Sequence, residues 1–253
     1  MIVKTFSAFS PFRAGASIFY LREAMAKKKI VVFTGAGISA ESGIKTFRDS
    51  GGLWEEHKVE DVATPEAWEK NPVLVLDFYN TRRRQAVNAK PNAAHAALVL
   101  LEKKFDVQII TQNIDDLHER AGSKKILHLH GEINKSRSSV DESLIYPMKG
   151  KDLKIGQLCE RGSQLRPHIV WFGEFVPMME EANKLATIAE IFIIVGTSLN
   201  VYPAAGLVNS APEKSPKYLV DPSAFAKDYI QNLTIIKETA GKGVPALVES
   251  LLK

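Results

Sequence analysis

Ile30-Val31-Val32-Phe33-Thr34-Gly35-Ala36-Gly37-Ile38-Ser39-Ala40 runs from an apolar stretch of strand type straight into Gly-x-Gly-x-x-Ala, with helix-compatible residues behind it. Glycines let a backbone turn sharply and come close to a pyrophosphate, whose charge the next helix N-terminus favours. A dehydrogenase would continue into a second apolar strand, ending about 20 positions on at an acidic residue that holds the adenosine ribose. This chain instead reads Glu41-Ser42-Gly43-Ile44-Lys45-Thr46-Phe47-Arg48-Asp49, then Gly51-Gly52-Leu53-Trp54, with Glu55 and Glu56 in polar sequence. The turn predicts a bound nucleotide, and the hydride-transfer version of the fold fits it poorly.

The 253 residues suit one large domain, or a large one carrying a small insert. At 45% hydrophobic and 25% charged residues the composition is that of a globular protein with a full core. No apolar run approaches the roughly 18 residues that span a membrane. Of the formal charge of +4, residues 1–24 contribute +2 through Lys4, Arg13 and Arg22 against Glu23. The remainder is too weakly basic to make nucleic acid a main partner. Lys27-Lys28-Lys29 reads as a solvated lead-in to a strand. Residues 1–24 resemble a targeting peptide only loosely, and are expected to be an extension outside the fold, with the domain at 25–253. A single cysteine, Cys159, excludes an internal disulfide and fits a cytoplasmic location.

Five apolar runs have strand character: Ile30 to Thr34, Val107 to Thr111, Ile191 to Val195, Tyr218 to Val220 and Leu233 to Ile236. Most are continuous, as in strands covered on both faces. Helical stretches lie between them, at Pro91 to Lys104 behind an Asn92 N-cap and at Met178 to Glu190. The alternation predicts an α/β, doubly wound parallel sheet of Rossmann type, with ligand at the carboxyl ends of the strands. Two inserts interrupt it. Residues 51–90 predict two helices, opening at Thr64-Pro65-Glu66 and Asn71-Pro72. Residues 134–164 are polar and aperiodic, and predict a small loop-rich module.

The polar turns, taken in order, carry a resemblance. Gly35-Ala36-Gly37-Ile38-Ser39, Phe47-Arg48, Thr111-Gln112-Asn113-Ile114-Asp115, His130-Gly131 and Gly196-Thr197-Ser198 resemble the signature blocks of the sirtuins, NAD-dependent protein lysine deacylases, from about Lys29 onward. The resemblance implies NAD as co-substrate. The turn from Gly35 through Ala40 would hold the pyrophosphate, and Gln112 a ribose. Asn113 and Asp115, with Ile114 between them, would meet the nicotinamide end. Thr197 and Ser198, after Gly196, would meet the adenosine, with Asp221, Pro222 and Ala240 bordering the adenine. Phe47 and Arg48 would cover the nicotinamide pocket, and Trp54 joins the cofactor set. His130, in Leu127-His128-Leu129-His130-Gly131-Glu132, corresponds to the family's catalytic base, and imidazole suits that task near neutral pH. His128 takes no role in this reading. His57, His95, His118 and His168 read as packing, capping or surface residues. Val170-Trp171-Phe172-Gly173-Glu174 resembles the segment that pairs with a substrate peptide as an added strand.

Tyr79 and Arg82, three apart on a predicted helix, point to one side. In class III sirtuins, bacterial and mitochondrial, such a pair is read as a clamp for the distal carboxylate of succinyl- or malonyl-lysine. Ala63 matches a small pocket residue of that group. Arg83 and Arg84 read as a solvated basic helix end. The usual zinc ribbon needs two Cys-x-x-Cys pairs. Here Lys135-Ser136-Arg137-Ser138-Ser139 carries none, and Cys159-Glu160-Arg161-Gly162 keeps one cysteine, so zinc is expected to be absent. The module would then rest on packing of Leu144, Ile145, Tyr146, Leu153, Ile155 and Leu158. The implied partner is acylated lysine in proteins or peptides, with nicotinamide and O-acyl-ADP-ribose as products. Alternatives are mono-ADP-ribosyl transfer to protein and a non-catalytic NAD-sensing module.

Overall fold

The computed structural model describes residues 27–45, 57–148, 151–225 and 229–253. Six strands form one wholly parallel sheet: β1 (Lys29–Thr34), β2 (Asp106–Thr111), β3 (Ile126–His128), β7 (Ile191–Val195), β8 (Lys217–Val220) and β9 (Leu233–Ile236), in the order β3-β2-β1-β7-β8-β9. The order reverses at the β1–β7 seam, which in doubly wound folds opens the ligand crevice. All five expected strands are present. The sixth, β3, is a three-residue edge strand ending on His128, too short for its sequence to announce.

Side chains alternate across each strand, so β1 feeds two cores. Ile30 and Val32 pack with Ala94, Leu98 and Leu101 of α4 (Ala93–Leu101) and Val244, Leu247 and Val248 of the last helix (Ala240–Leu252). Val31 and Phe33 face Ala182 and Ala186 of the helix Met179–Thr187 and Leu207 and Val208 of Leu207–Ser210. Burial on both faces explains the continuous apolar runs. Asn92 caps α4, its Oδ1 accepting the Ala94 N–H at 2.9 Å.

The helical insert contains α1 (Val59–Val62), α2 (Pro65–Lys70) and α3 (Pro72–Asn88). Both expected starts are found. The Thr64 hydroxyl accepts from Ala67 N and Asn71 Oδ1 from Leu74 N, each at 3.1 Å, with proline at the first helical position.

The module around residues 134–164 is more ordered than expected: β4 (Gly131–Ser138) is flanked by β5 (Ile145–Pro147) and β6 (Leu165–Ile169) in an antiparallel sheet. Its support also differs. Of the six residues expected to pack it, Leu153 alone is buried, whereas Ile145, Ile155 and Leu158 are exposed. A small core of Leu76, Met148 and Leu153 lies against α3. The larger support is polar, and it corrects the reading of Arg83 as solvated. Arg83 is fully buried, donating to the carbonyls of Ile133 at 2.7 Å and Lys151 at 3.4 Å and to Asn80 Oδ1 at 2.7 Å. Asn80 in turn bonds both the N–H and the carbonyl of Leu153, each at 2.8 Å. Arg84 does remain half-exposed, paired with Asp152.

Candidate active site

The crevice floor is backbone against backbone. Gly35 N donates to Val195 O at 3.0 Å and Gly37 N to Gly196 O at 2.9 Å, locking the turn after β1 to the turn after β7. Ala36–Ser42 follows as a 3-10 helix, where an α-helix start would be usual. Gly196 adopts φ +63, and a Cβ there would stand 2.4 Å from Ile38 N and 2.6 Å from the Gly37 Cα. A Gly196→Ala variant is therefore expected to lose at least about 2 kcal/mol, lowering Tm by about 5 °C in a chain of this size. Calorimetry with an NAD titration checks this; wild-type Tm and NAD affinity together would show that the two turns need not touch.

Two further groups hold the 3-10 helix. Asn92 Nδ2 donates to Ile38 O at 2.8 Å and Ser42 Oγ at 3.0 Å. Glu41 accepts from the Thr239 hydroxyl at 3.1 Å and Gly241 N at 2.5 Å, at the start of the last helix where Ala240 lies buried.

The loop after β2 is built on buried threonines. Thr34 Oγ1 donates to Thr111 Oγ1 at 2.8 Å, and Thr111 Oγ1 accepts Asn113 N at 3.0 Å. Asn113 Nδ2 and Asp115 Oδ2 both meet Ser39 Oγ, at 3.2 and 3.1 Å, joining this loop to the glycine turn. Gln112 Nε2 reaches Thr197 Oγ1 at 3.2 Å. Burial raises the Asp115 carboxyl, against the Leu117 N–H and Ser39 hydroxyl that favour its charge. Three sequence blocks thus converge at the carboxyl ends of β1, β2 and β7. Asp221 is buried beside them at the end of β8 and accepts Ser223 N at 2.9 Å, with Pro222 exposed next to it.

Two imidazoles grip successive carbonyls of that loop, with opposite consequences. His130 Nδ1 lies 3.1 Å from Gln112 O. A carbonyl can only accept, so Nδ1 carries the proton and neutral His130 presents a basic Nε2. Burial lowers its pKa, an effect the Gln112 bond only partly opposes. His128 Nδ1 lies 2.9 Å from Asn113 O, and its Nε2 lies 2.8 Å from Glu119 Oε1. Two acceptors demand two N–H groups. Burial pulls the His128 pKa down, but Glu119, the Asn113 carbonyl and Glu132 outweigh it and the net shift is upward. Gly131 fixes the His130 backbone: it sits at φ +82, and a Cβ there would fall 2.1 Å from His168 O. Val170 N donates to His130 O at 3.0 Å from the other side.

Val170–Glu174 follows β6 and is braced from beneath. Trp171 is buried against Tyr79, with ring centroids 6.5 Å apart. Arg166 lies over the Trp171 ring at 3.2 Å and binds Glu174 with both Nη atoms, at 2.7 and 3.0 Å. Glu174 also accepts Trp171 N at 2.7 Å and Arg137 Nη2 at 3.3 Å. Its carboxylate is thus engaged internally, and the segment's outward groups are backbone and the half-exposed Phe172. Gly173 closes the turn at φ +91. Phe172 N donates to Ala63 O at 3.0 Å, so Ala63, Tyr79 and Trp171 meet in one cluster. Arg82 is nearly buried on the Tyr79 side of α3. The Tyr79 hydroxyl is buried, and its own proton finds no acceptor among the described residues, the neighbouring Trp171 indole N–H being a donor only. Burial raises the phenol, against smaller opposite pulls from the Trp171 indole N–H, Arg82 and Arg166.

Phe47, Arg48 and Trp54 lie outside the described residues. Where a zinc ribbon would sit, Cys159 Sγ meets Ser138 Oγ at 3.4 Å and Ser163 Oγ at 3.1 Å, and the two hydroxyls bond each other at 2.8 Å. One thiol and two hydroxyls are not a zinc donor set. Among the described residues no group of three or more His, Cys, Asp or Glu is placed to hold a metal ion. Sequence reading missed Arg166 and His128. An arginine inside Leu165-Arg166-Pro167-His168-Ile169 was a signal for the first, and the His-x-His spacing for the second.

The family profile described as "Sir2 family" matches residues 35–203. A Helicobacter pylori NAD-dependent protein deacylase is 54% identical over 226 residues, spanning 89% of this chain and 98% of that one. A Bacteroides thetaiotaomicron protein of the same description is 49% identical over 230 residues, with 89% and 98% covered. The crystal structure of a Sir2 homolog–NAD complex superposes with a TM-score of 0.80 at 36% identity, covering 93% of each chain.

Proposed function

The chain belongs to the Sir2 family and is an NAD-dependent protein deacylase, and from that premise we propose that it removes succinyl and malonyl groups from lysine as well as acetyl, with Tyr79 and Arg82 holding the distal carboxylate and His130 as general base. The observation that carries the acyl preference is the buried Tyr79 hydroxyl, whose proton has no acceptor among the described residues. Buried hydroxyls are normally satisfied, so this one is suited to an incoming acceptor. Its raised pKa keeps it a donor. Arg82, three residues on, adds a guanidinium that binds a carboxylate through two parallel bonds. Ala63 leaves room for the longer chain.

The residues around the β1–β7 seam suit NAD. The Gly35–Ala40 turn offers backbone N–H groups to the pyrophosphate. Gln112 serves a ribose, and Asn113 and Asp115 the nicotinamide carboxamide. Thr197, Ser198, Asp221, Pro222 and Ala240 line the adenosine side. When bound, NAD supplies an anomeric carbon whose bond to nicotinamide yields to the acyl oxygen. His130 Nε2 then takes the proton of a ribose hydroxyl, while its Nδ1–H, held by Gln112 O, fixes the ring. Phe172 and its neighbours offer backbone groups to the peptide carrying the lysine. The single Cys159 suits a cytoplasmic setting, and no helix among the described residues is long and apolar enough to cross a membrane.

Peptides bearing acetyl-, malonyl- or succinyl-lysine, incubated with NAD and followed by mass spectrometry, test the reading. All three should lose their acyl group as nicotinamide appears; malonyl and succinyl peptides left intact beside a consumed acetyl peptide would remove the clamp. Protein-bound ADP-ribose would indicate transfer to protein instead. A pH profile tests the base. His130 must be unprotonated to act, and its pKa is lowered, so activity persists on acidification past the ordinary imidazole value. The acid limb of kcat/KM should have its midpoint below about 6.5, and a midpoint above that value would contradict the assignment.

A further inference from the structure

We propose that His128 and Glu119 form a positioning pair, which holds the Asn113 carbonyl and so fixes the loop that presents Asn113 and Asp115 to nicotinamide. The inference rests on the assignment of those two residues to the nicotinamide end. His128, at the end of β3, is tied on one ring nitrogen to Asn113 O at 2.9 Å and on the other to Glu119 Oε1 at 2.8 Å. Both contacts need an N–H, so the ring is held as imidazolium between a carboxylate and a carbonyl, and bonds with an ionised partner are the stronger kind. Glu119 belongs to α5 (Leu117–Ala121), the element that leaves the same loop, so the pair closes a ring around it. The opposite side of the loop is held by Ser39, which meets both Asn113 Nδ2 and Asp115 Oδ2. Asn113 is thus gripped by its side chain from the glycine turn and by its carbonyl from His128. His128 itself faces away from chemistry, its second nitrogen being spent on Glu119.

A displaced loop should affect the nicotinamide half of the cofactor and spare the rest. In His128→Ala, the KM for NAD and the inhibition constant of free nicotinamide should both rise about tenfold, the worth of one charge-assisted bond. ADP-ribose, which lacks nicotinamide, should bind as in wild type. His128→Asn places an amide N–H near the Nδ1 position and should recover much of the loss. Glu119→Gln, on a half-exposed side chain, keeps an acceptor but removes the charge, and should show the same selective effect at smaller size. If His128→Ala fails to fold, the Glu119→Gln and His128→Asn variants decide the matter. Equal weakening of ADP-ribose and nicotinamide would make His128 a merely structural residue and overturn the proposal. Unchanged nicotinamide inhibition in His128→Ala and Glu119→Gln would do the same. Asn113→Ala separates the two layers. If it leaves nicotinamide inhibition intact, the underlying assignment falls and the pair with it; if it weakens inhibition while the His128 and Glu119 variants do not, the pair alone falls.

Discussion

His130→Asn is expected to fold, to bind ADP-ribose as wild type does, and to lose about 100- to 10,000-fold in kcat on every acyl-lysine peptide. The reasoning is local. The Asn amide can donate to Gln112 O from nearly the position of the imidazole Nδ1, so the contact that orients this side chain survives. Nothing then remains where Nε2 stood, and neither His128 nor His118 is placed to replace it. His128 is committed to Asn113 O and Glu119, and His118 is buried behind Thr34, bonded to its hydroxyl at 3.1 Å. The loss should be the same for acetyl and succinyl substrates, because proton transfer at the ribose does not depend on the far end of the acyl chain. A kcat within tenfold of wild type would remove His130 as the base.

Arg82→Met should act in the complementary way, separating substrates that His130→Asn treats alike. Activity on succinyl-lysine, as kcat/KM, is expected to fall about 10- to 100-fold, while acetyl-lysine changes little. Met fills a similar volume, so the nearly buried site stays filled. Tyr79→Phe should show the same selectivity at smaller size. Since its hydroxyl proton has no acceptor among the described residues, its removal should leave Tm almost unchanged. Equal losses on both peptides in Arg82→Met would mean that Arg82 supports the fold of the insert rather than binding a carboxylate.

The parts of the site legible in the sequence are those that depend on backbone conformation and short spacing. Gly35 and Gly37 stand out because the seam admits no Cβ: at Gly35 one would meet Gly196 O at 2.8 Å, and at Gly37 the Gly196 Cα at 2.6 Å. Gly131 marks His130 for the same reason. Asn71, Thr64 and Asn92 announce their helices because a capping side chain acts within three residues of itself. The five strand runs are evident because burial on both faces leaves few polar positions.

Arg83 and the small module were misread for the opposite reason. Within Arg82-Arg83-Arg84 the three guanidiniums look equivalent, yet one is nearly buried beside Tyr79, one is fully buried under the module and one pairs with Asp152 at the surface. Which of them leaves water depends on whether Ile133 and Lys151 offer carbonyls across the interface, and those lie far away in the chain. Likewise Ile145, Ile155 and Leu158 suggested an apolar core, whereas Arg83, Asn80 and the Cys159–Ser138–Ser163 cluster supply polar support.

The five strand runs, the glycine turn after β1 and the imidazole beside Gly131 were therefore determined by the sequence alone, because sterics and alternation act over a few residues. The charge states of His128 and His130 and the fates of Arg82, Arg83 and Arg84 were decided only by the tertiary structure. Those depend on how many acceptors distant segments bring within hydrogen-bond reach, and on how much water they exclude.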